Sequence, residues 1–198
     1  MDEKKESASG VTQRIYEANV LFGVAVNSAA SIQAPVRAGG QLHALVSLVF
    51  SVIAVEALLN EATEMAGRFS KYAGEPQVVP VFAERLAEAE KAHESLESKL
   101  ALAYEILGKK LDKGALPYHK DLIRRFGRNK NLLAEDMEPG SWMRAIETKA
   151  IANWSCSTAA RVVVEFVSKA PQGAWRTFLE GIHRHFKPYA SKPLTDSR

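Results

Sequence analysis

The chain has 198 residues, 46% of them hydrophobic and 25% charged, with a formal net charge of +3. That balance excludes a disordered polypeptide, and the length lets one domain bury a core without covalent staples. The single cysteine, Cys156, excludes an internal disulfide and a multi-cysteine zinc site; it fits a reducing compartment and reads as a small buried hydrophobe.

The opening MDEKKESASG is polar and charged, with no apolar run behind a basic start. It predicts a disordered leader over 1–10 and no targeting signal, which points to a cytoplasmic protein. Helical apolar spacing then predicts a first helix over about Val11–Gln33, ended by Pro35 and the Gly39-Gly40 pair. A second helix comes next over about Gln41–Tyr72, apolar on all sides and therefore central. Within it, Leu42–Leu59 approaches the length of a membrane span, but His43, Ser47, Ser51 and Glu56 interrupt it. The expectation is the most buried helix of a protein core, with no membrane partner. Glu56 and Asn60 stand one turn apart in this apolar setting. Buried polar groups need partners, either each other or a basic element such as Arg128.

Gly74, Pro76 and Pro80 mark a linker. Beyond it, Phe82, Leu86, Ala89, His93, Leu96, Leu100, Ala103 and Leu107 recur at alternating spacings of four and three. This predicts one continuous third helix whose seam packs antiparallel on the second, with His93 inside the seam. After Gly114 and Pro117 a shorter helix runs through Arg124 and Arg125 to Gly127. Ser141 then offers an N-cap to a long helix over Trp142–Lys169, with Ile146, Ala150, Trp154, Val164 and Val167 on its apolar face. Pro171 and Gly173 end that helix, and AWRTFLEGIHRHF forms the last one before a flexible tail over 188–198. The fold class is all-α: a single-domain bundle of about five or six helices spanning 11–187.

Charge is unevenly placed. Between Lys109 and Lys130 the cations, Lys120, Arg124, Arg125, Arg128 and Lys130 among them, face only Asp112 and Asp121. Such a patch is suited to phosphate. No Gly-rich phosphate loop, metal-binding histidine pair or nucleophile elbow is present. His183 and His185 are two residues apart on a helix and point away from each other, so they do not share an ion.

The segment GRNKNLLAED, together with the Glu56 and Asn60 pair on an early helix, resembles the HEPN superfamily (higher eukaryotes and prokaryotes nucleotide-binding domain). Its signature is an arginine, usually with a polar residue such as Asn next to it, then four to six residues, then a histidine. Arg128-Asn129 is similar to its start, and the long helix through AIETKAIANWSCSTAARVVVEF is similar to the one after the motif in some members. The resemblance implies a helical bundle that cuts or binds RNA without metal or cofactor, with the site shared across a homodimer. It also implies a defence or toxin–antitoxin setting with a protein partner or antitoxin. Arg128 and Asn129 would be the catalytic pair, Lys120, Arg124, Arg125 and Lys130 would bind phosphate, and Glu56 and Asn60 would hold the motif in place.

One position departs from the pattern. The histidine belongs at 133, 134 or 135, where this chain has Leu133, Ala134 and Glu135. An imidazole could be recovered only if Ala134 replaces a histidine, if His119 reaches over, or if Arg176 and His183, which satisfy the same spacing, form the motif instead. The expected function is RNA or nucleotide-phosphate binding on a nuclease-like scaffold without its general base. The alternative is a helical interaction module whose Phe82–Leu107 seam takes a partner helix. The cost of leaving two buried polar groups unpaired in an apolar helix further predicts that Glu56 or Asn60 lies within hydrogen-bonding reach of a polar group on Arg124–Asn131.

Overall fold

The computed structural model describes residues 8–32, 38–108 and 145–190. Among them the chain is all helical, with no strand. The helices are α1 (Ala8–Ala30), α2 (Ala38–Phe69), α3 (Val78–Lys91), α4 (Leu96–Ile106), α5 (Ala145–Lys169) and α6 (Ala174–Ala190).

Small residues set the first hairpin. Ala18, Phe22, Ala25 and Ala29 recur at spacings of four, three and four on α1 and are buried, as is Ala44 on α2. Alanine lets the two helix backbones approach, and α1 and α2 form the most extensive helix pair of the fold. α2 also packs on α3, α5 and α6, so it is central as its composition predicts. Its burial is one-sided, however. Ser47, Leu48, Ser51, Val55, Leu58 and Ala62 face inward, whereas Leu42, Ile53 and Asn60 are exposed. The most continuously buried stretch is instead on α5, where positions 155–160 are all buried.

Side-chain size explains that difference. The α2–α5 contact is built from Ser47 and Ser51 against Ala152, Ser155 and Cys156, with Ser47 Oγ 3.3 Å from both Ala152 O and Cys156 Sγ. Close helix approach selects small residues, so the buried face of α5 runs through Ala152, Cys156, Ala159, Val163 and Phe166. Trp154 and Val164, expected on that face, are only partly buried at its edge.

The expected single third helix is two. α3 ends in a reverse turn in which Glu94 N–H donates to Ala89 O and His93 N–H to Glu90 O. His93 takes the left-handed conformation at φ 54° and is exposed, not in the seam. Ser95 then caps α4, its hydroxyl accepting from Ser98 N–H at 3.1 Å. The break preserves the apolar phase, so Phe82, Leu86 and Ala89 on one side and Leu100, Ala103 and Leu107 on the other all remain buried. Pro80, read as linker, sits in the first turn of α3, where no intrahelical N–H is required.

α6 closes the core. Trp175, Phe178, Leu179, Ile182 and Phe186 form a buried stripe, and Trp175 Nε1–H donates to Ala62 O at 2.9 Å. The Trp175 ring lies 4.8 Å from Phe82, and Phe186 stacks on Phe22 at 4.1 Å. The helix continues through Pro188 to Ala190. Ser141 and the helix expected through Arg124 and Arg125 lie outside the described residues.

Candidate functional site

Lys120, Arg124, Arg125, Arg128, Asn129, Lys130, Ala134 and His119 all lie outside the described residues. The structure describes the other half of the expected arrangement, Glu56 and Asn60, and the second arginine–histidine spacing on α6.

Glu56 and Asn60 are not buried in an apolar environment. They lie on the outward side of α2, opposite Val55, Leu58, Leu59 and Ala62; the Glu56 side chain is 43% exposed and Asn60 is exposed. Hydropathy averaged along a helix does not report which side faces in. The partner of Glu56 is Lys99 on α4, whose Nζ donates to Glu56 Oε1 at 3.4 Å and to Glu90 Oε2 at 2.6 Å. The Lys99 side chain is only 5% exposed, so one buried ammonium ties α2, α3 and α4 together. Burial alone would lower its pKa, but the hydrogen bond and charge of Glu90, with the charge of Glu56, outweigh that and raise it, keeping Lys99 protonated. Sequence reasoning misses this lysine, whose only signal is its place beside Leu96 and Leu100 in the seam.

Two clefts flank the ridge formed by Asn60 and Glu64. The first, about 460 Å³, lies between α1 and α2 and is lined by Glu17, Ile53, Glu56, Asn60, Glu61 and Glu64. The second, about 480 Å³, lies between α2 and α3, with Leu59, Gly67, Ala83 and Leu86 along its floor and Glu90 and Lys99 at its end. Carboxylates dominate the first cleft, so it suits an ammonium or guanidinium and repels phosphate.

On α6, Arg176 Nε–H donates to Glu180 Oε1 at 2.9 Å and Nη1–H to Ala170 O at 3.0 Å. Its guanidinium therefore closes the α5–α6 turn. His183 lies two turns further along the same side, partly buried. Burial first, then Lys187, holds its imidazole below the ordinary value, while Glu180 pulls the other way. His185 is exposed, and no cluster of three or more His, Cys, Asp or Glu suited to a metal occurs among the described residues. Cys156 is buried against α2, as its composition-based reading expects.

α2 is the one helix among the described residues long and apolar enough to cross a membrane, and half of its apolar window is packed inside the protein. No family model, curated protein or solved structure matches the chain.

Proposed function

We propose that this chain is a HEPN-like, cytoplasmic helical protein, homodimeric and of a defence or toxin–antitoxin type. In this reading it binds RNA or nucleotide phosphate through the Lys120–Lys130 segment and has lost most of its nuclease chemistry. The observation that carries the proposal is the Arg128-Asn129 pair within a run of cations, with Leu133, Ala134 and Glu135 standing where a histidine is required.

Arg128 presents a planar donor fork that grips a phosphate through two oxygens, and Asn129 adds a further donor. Lys120, Arg124, Arg125 and Lys130 supply the surrounding positive charge. Proton removal from a 2′-hydroxyl needs a base, and neither Leu133 nor Ala134 has one. The all-helical bundle supports the reading, as does the half-exposed carboxylate of Glu56 on a cleft that favours a guanidinium.

The alternative reading, an interaction module whose seam takes a partner helix, has less support, because Phe82, Leu86, Leu100, Ala103 and Leu107 are buried in this chain's own core.

The test is single-stranded RNA binding at several salt concentrations for the unmodified chain and for Arg128→Ala. Binding that weakens with salt and loses roughly one phosphate contact's share of the slope in the variant, about 0.7 of a log unit per log unit of salt, supports the proposal. Absence of salt-dependent binding refutes it.

A further inference from the structure

One side of the α1–α2 hairpin is apolar and uncovered. No Asp, Glu, Lys or Arg occurs in α2 from Leu42 to Val55. Within that run Leu42, Leu45, Val46, Val49, Phe50 and Ile53 share one side of the helix, and none of the six is fully buried. Leu42 is 62% and Ile53 37% exposed, whereas Leu48 and Val55 on the inward side are buried. On α1, Glu17 lines the cleft beside Ile53, and Val20, one turn further along, is 54% exposed. Of the five large hydrophobics exposed among the described residues, three thus fall on this one side. Clustered apolar exposure of this kind marks an interaction surface.

The charge and symmetry of the face select what covers it. The run is uncharged, so neither an acidic nor a basic partner gains ion pairs from it. A lipid surface is disfavoured as well, because helices that lie on membranes carry lysines and arginines around the apolar side, and the first in α2 is Arg68. A second copy fits. A two-fold axis crossing α2 midway between Val46 and Val49 sets Leu42 against the partner's Ile53, Leu45 against the partner's Phe50, and Val46 against the partner's Val49. Each pair recurs in the opposite sense, so all six positions meet an apolar side chain of the same set, as an isologous contact requires. The antiparallel sense opposes the two helix dipoles. It leaves Glu56 at the margin, opposite residue 39 of the partner subunit, in a first turn without acidic residues. Parallel packing instead sets Glu56 on the partner's Glu56 and aligns the dipoles. Asn60 and Glu64 lie beyond the contact, so the α1–α2 cleft borders it without being filled. The stripe from Leu42 to Ile53 is about 17 Å long. A specific interface covers about 800 Å² per partner, more than one such stripe supplies, so the α1 side with Val20 and the partly exposed Val24 is included.

We propose that the outward side of the α1–α2 hairpin, from Leu42 to Ile53 with Val20 beside it, is the antiparallel two-fold interface of a homodimer. This names the surface of the homodimer proposed above, and it rests on exposed apolar side chains that are separate from the cationic segment proposed to bind phosphate.

The experiment is sedimentation velocity on the full chain, 21.7 kDa, over a range of concentrations. The expected result is a species of twice that mass. Ile53→Asp and, separately, Val46→Asp should weaken association at least tenfold, because each buries an unpaired carboxylate in the contact. Val81→Asp, exposed on α3 away from this face, should leave association unchanged, as should Arg128→Ala. Circular dichroism verifies that each variant folds. Cross-linking then reads the register: Cys156 is buried, so introduced thiols are the accessible ones. An equimolar mixture of Leu42→Cys and Ile53→Cys chains should cross-link through a short bis-maleimide. Either variant alone should not, because like positions stand about 17 Å apart along the helices. A monomer at every concentration overturns the proposal and the homodimeric reading with it. A dimer indifferent to both aspartates overturns this surface alone. Cross-linking of either cysteine variant alone as readily as the mixture overturns the antiparallel register. Binding of the unmodified chain to phosphatidylcholine vesicles that is lost in Ile53→Asp also overturns the proposal, assigning the face to lipid.

Discussion

Two single residues carry local free energy that the sequence pattern does not show. His93 holds φ 54° at the end of α3, a conformation that glycine adopts without strain and a side chain with a Cβ does not. Its side chain is exposed and contributes nothing to the seam. His93→Gly should therefore stabilise the fold by about 0.5–1 kcal/mol, the relieved strain less glycine's extra entropy in the unfolded chain. For a chain of this size that is a rise of about 2–4 °C in melting temperature per kcal/mol, readable by calorimetry. A lower melting temperature would mean that the imidazole makes a contact worth more than the strain. His183 behaves oppositely to a salt-bridged histidine. Burial and Lys187 hold its pKa below 6.5, so the unfolded chain takes up the proton first as pH falls. The stability present above about pH 6.5 is thus lost as pH drops through the depressed folded value. His183→Gln removes this titration, so in urea unfolding the stability of wild type relative to the variant should fall as pH drops from about 7.5 to 5. A gap independent of pH across that range would show that His183 does not titrate differently in the two states.

At the scale of elements, legibility depends on how each physical signal works. The stripe of Trp175, Leu179, Ile182 and Phe186 identifies α6 directly, because large apolar residues at helical spacing have one way to be buried. The α3–α4 break hides because the reverse turn at His93 restores the same apolar phase in α4; Ser95, a cap with Glu97 in the first turn behind it, is the available signal. The buried face of α5 lies one edge away from its expected place because hydrophobicity scores Trp154 and Val164 above Ser155 and Ala159, whereas close approach to Ser47 and Ser51 selects size. Glu56 and Asn60 depart from expectation for a related reason, since a strongly apolar average conceals one outward face. A contact remote in sequence is beyond any local pattern. Glu75, between α2 and α3, accepts from Ala174 N–H at 2.5 Å and so caps α6. A Cβ at Gly173 would stand 2.8 Å from that carboxylate. Gly173→Ala should push Glu75 off the helix end and cost about 1–3 kcal/mol. Denaturant midpoints measure it, and the cost should shrink markedly in a Glu75→Ala background because the clash and the cap go together. Equal costs in both backgrounds would place the strain in the Gly173 backbone, at φ 154°, rather than in the side-chain collision.

At the scale of the whole molecule, a helical bundle of this kind is readable from the sequence. The proposed supporting side of the site is on α2, where Glu56 is half-exposed and already held by Lys99. Its proposed reactive side is argued from sequence, from Arg128 and the residues on its C-terminal side. The two sides together make one prediction about activity. A phosphate clamp without a base should leave the chain as written with no more than trace metal-independent RNA cleavage. Placing histidine at 134 gives the spacing from Arg128 that the proposed reading requires and should raise cleavage by about 10²–10⁴-fold, the usual contribution of a positioned general base. Three proteins decide the matter: the unmodified chain, Ala134→His, and Ala134→His combined with Arg128→Ala. The gain must appear in the second and vanish in the third, because a base without its phosphate clamp has no oriented substrate. Cleavage by the unmodified chain that survives Arg128→Ala would move the chemistry to another histidine. His183, whose depressed pKa keeps it neutral and able to accept a proton near neutral pH, would be the first to replace. No gain in a folded Ala134→His protein would remove the nuclease-like reading.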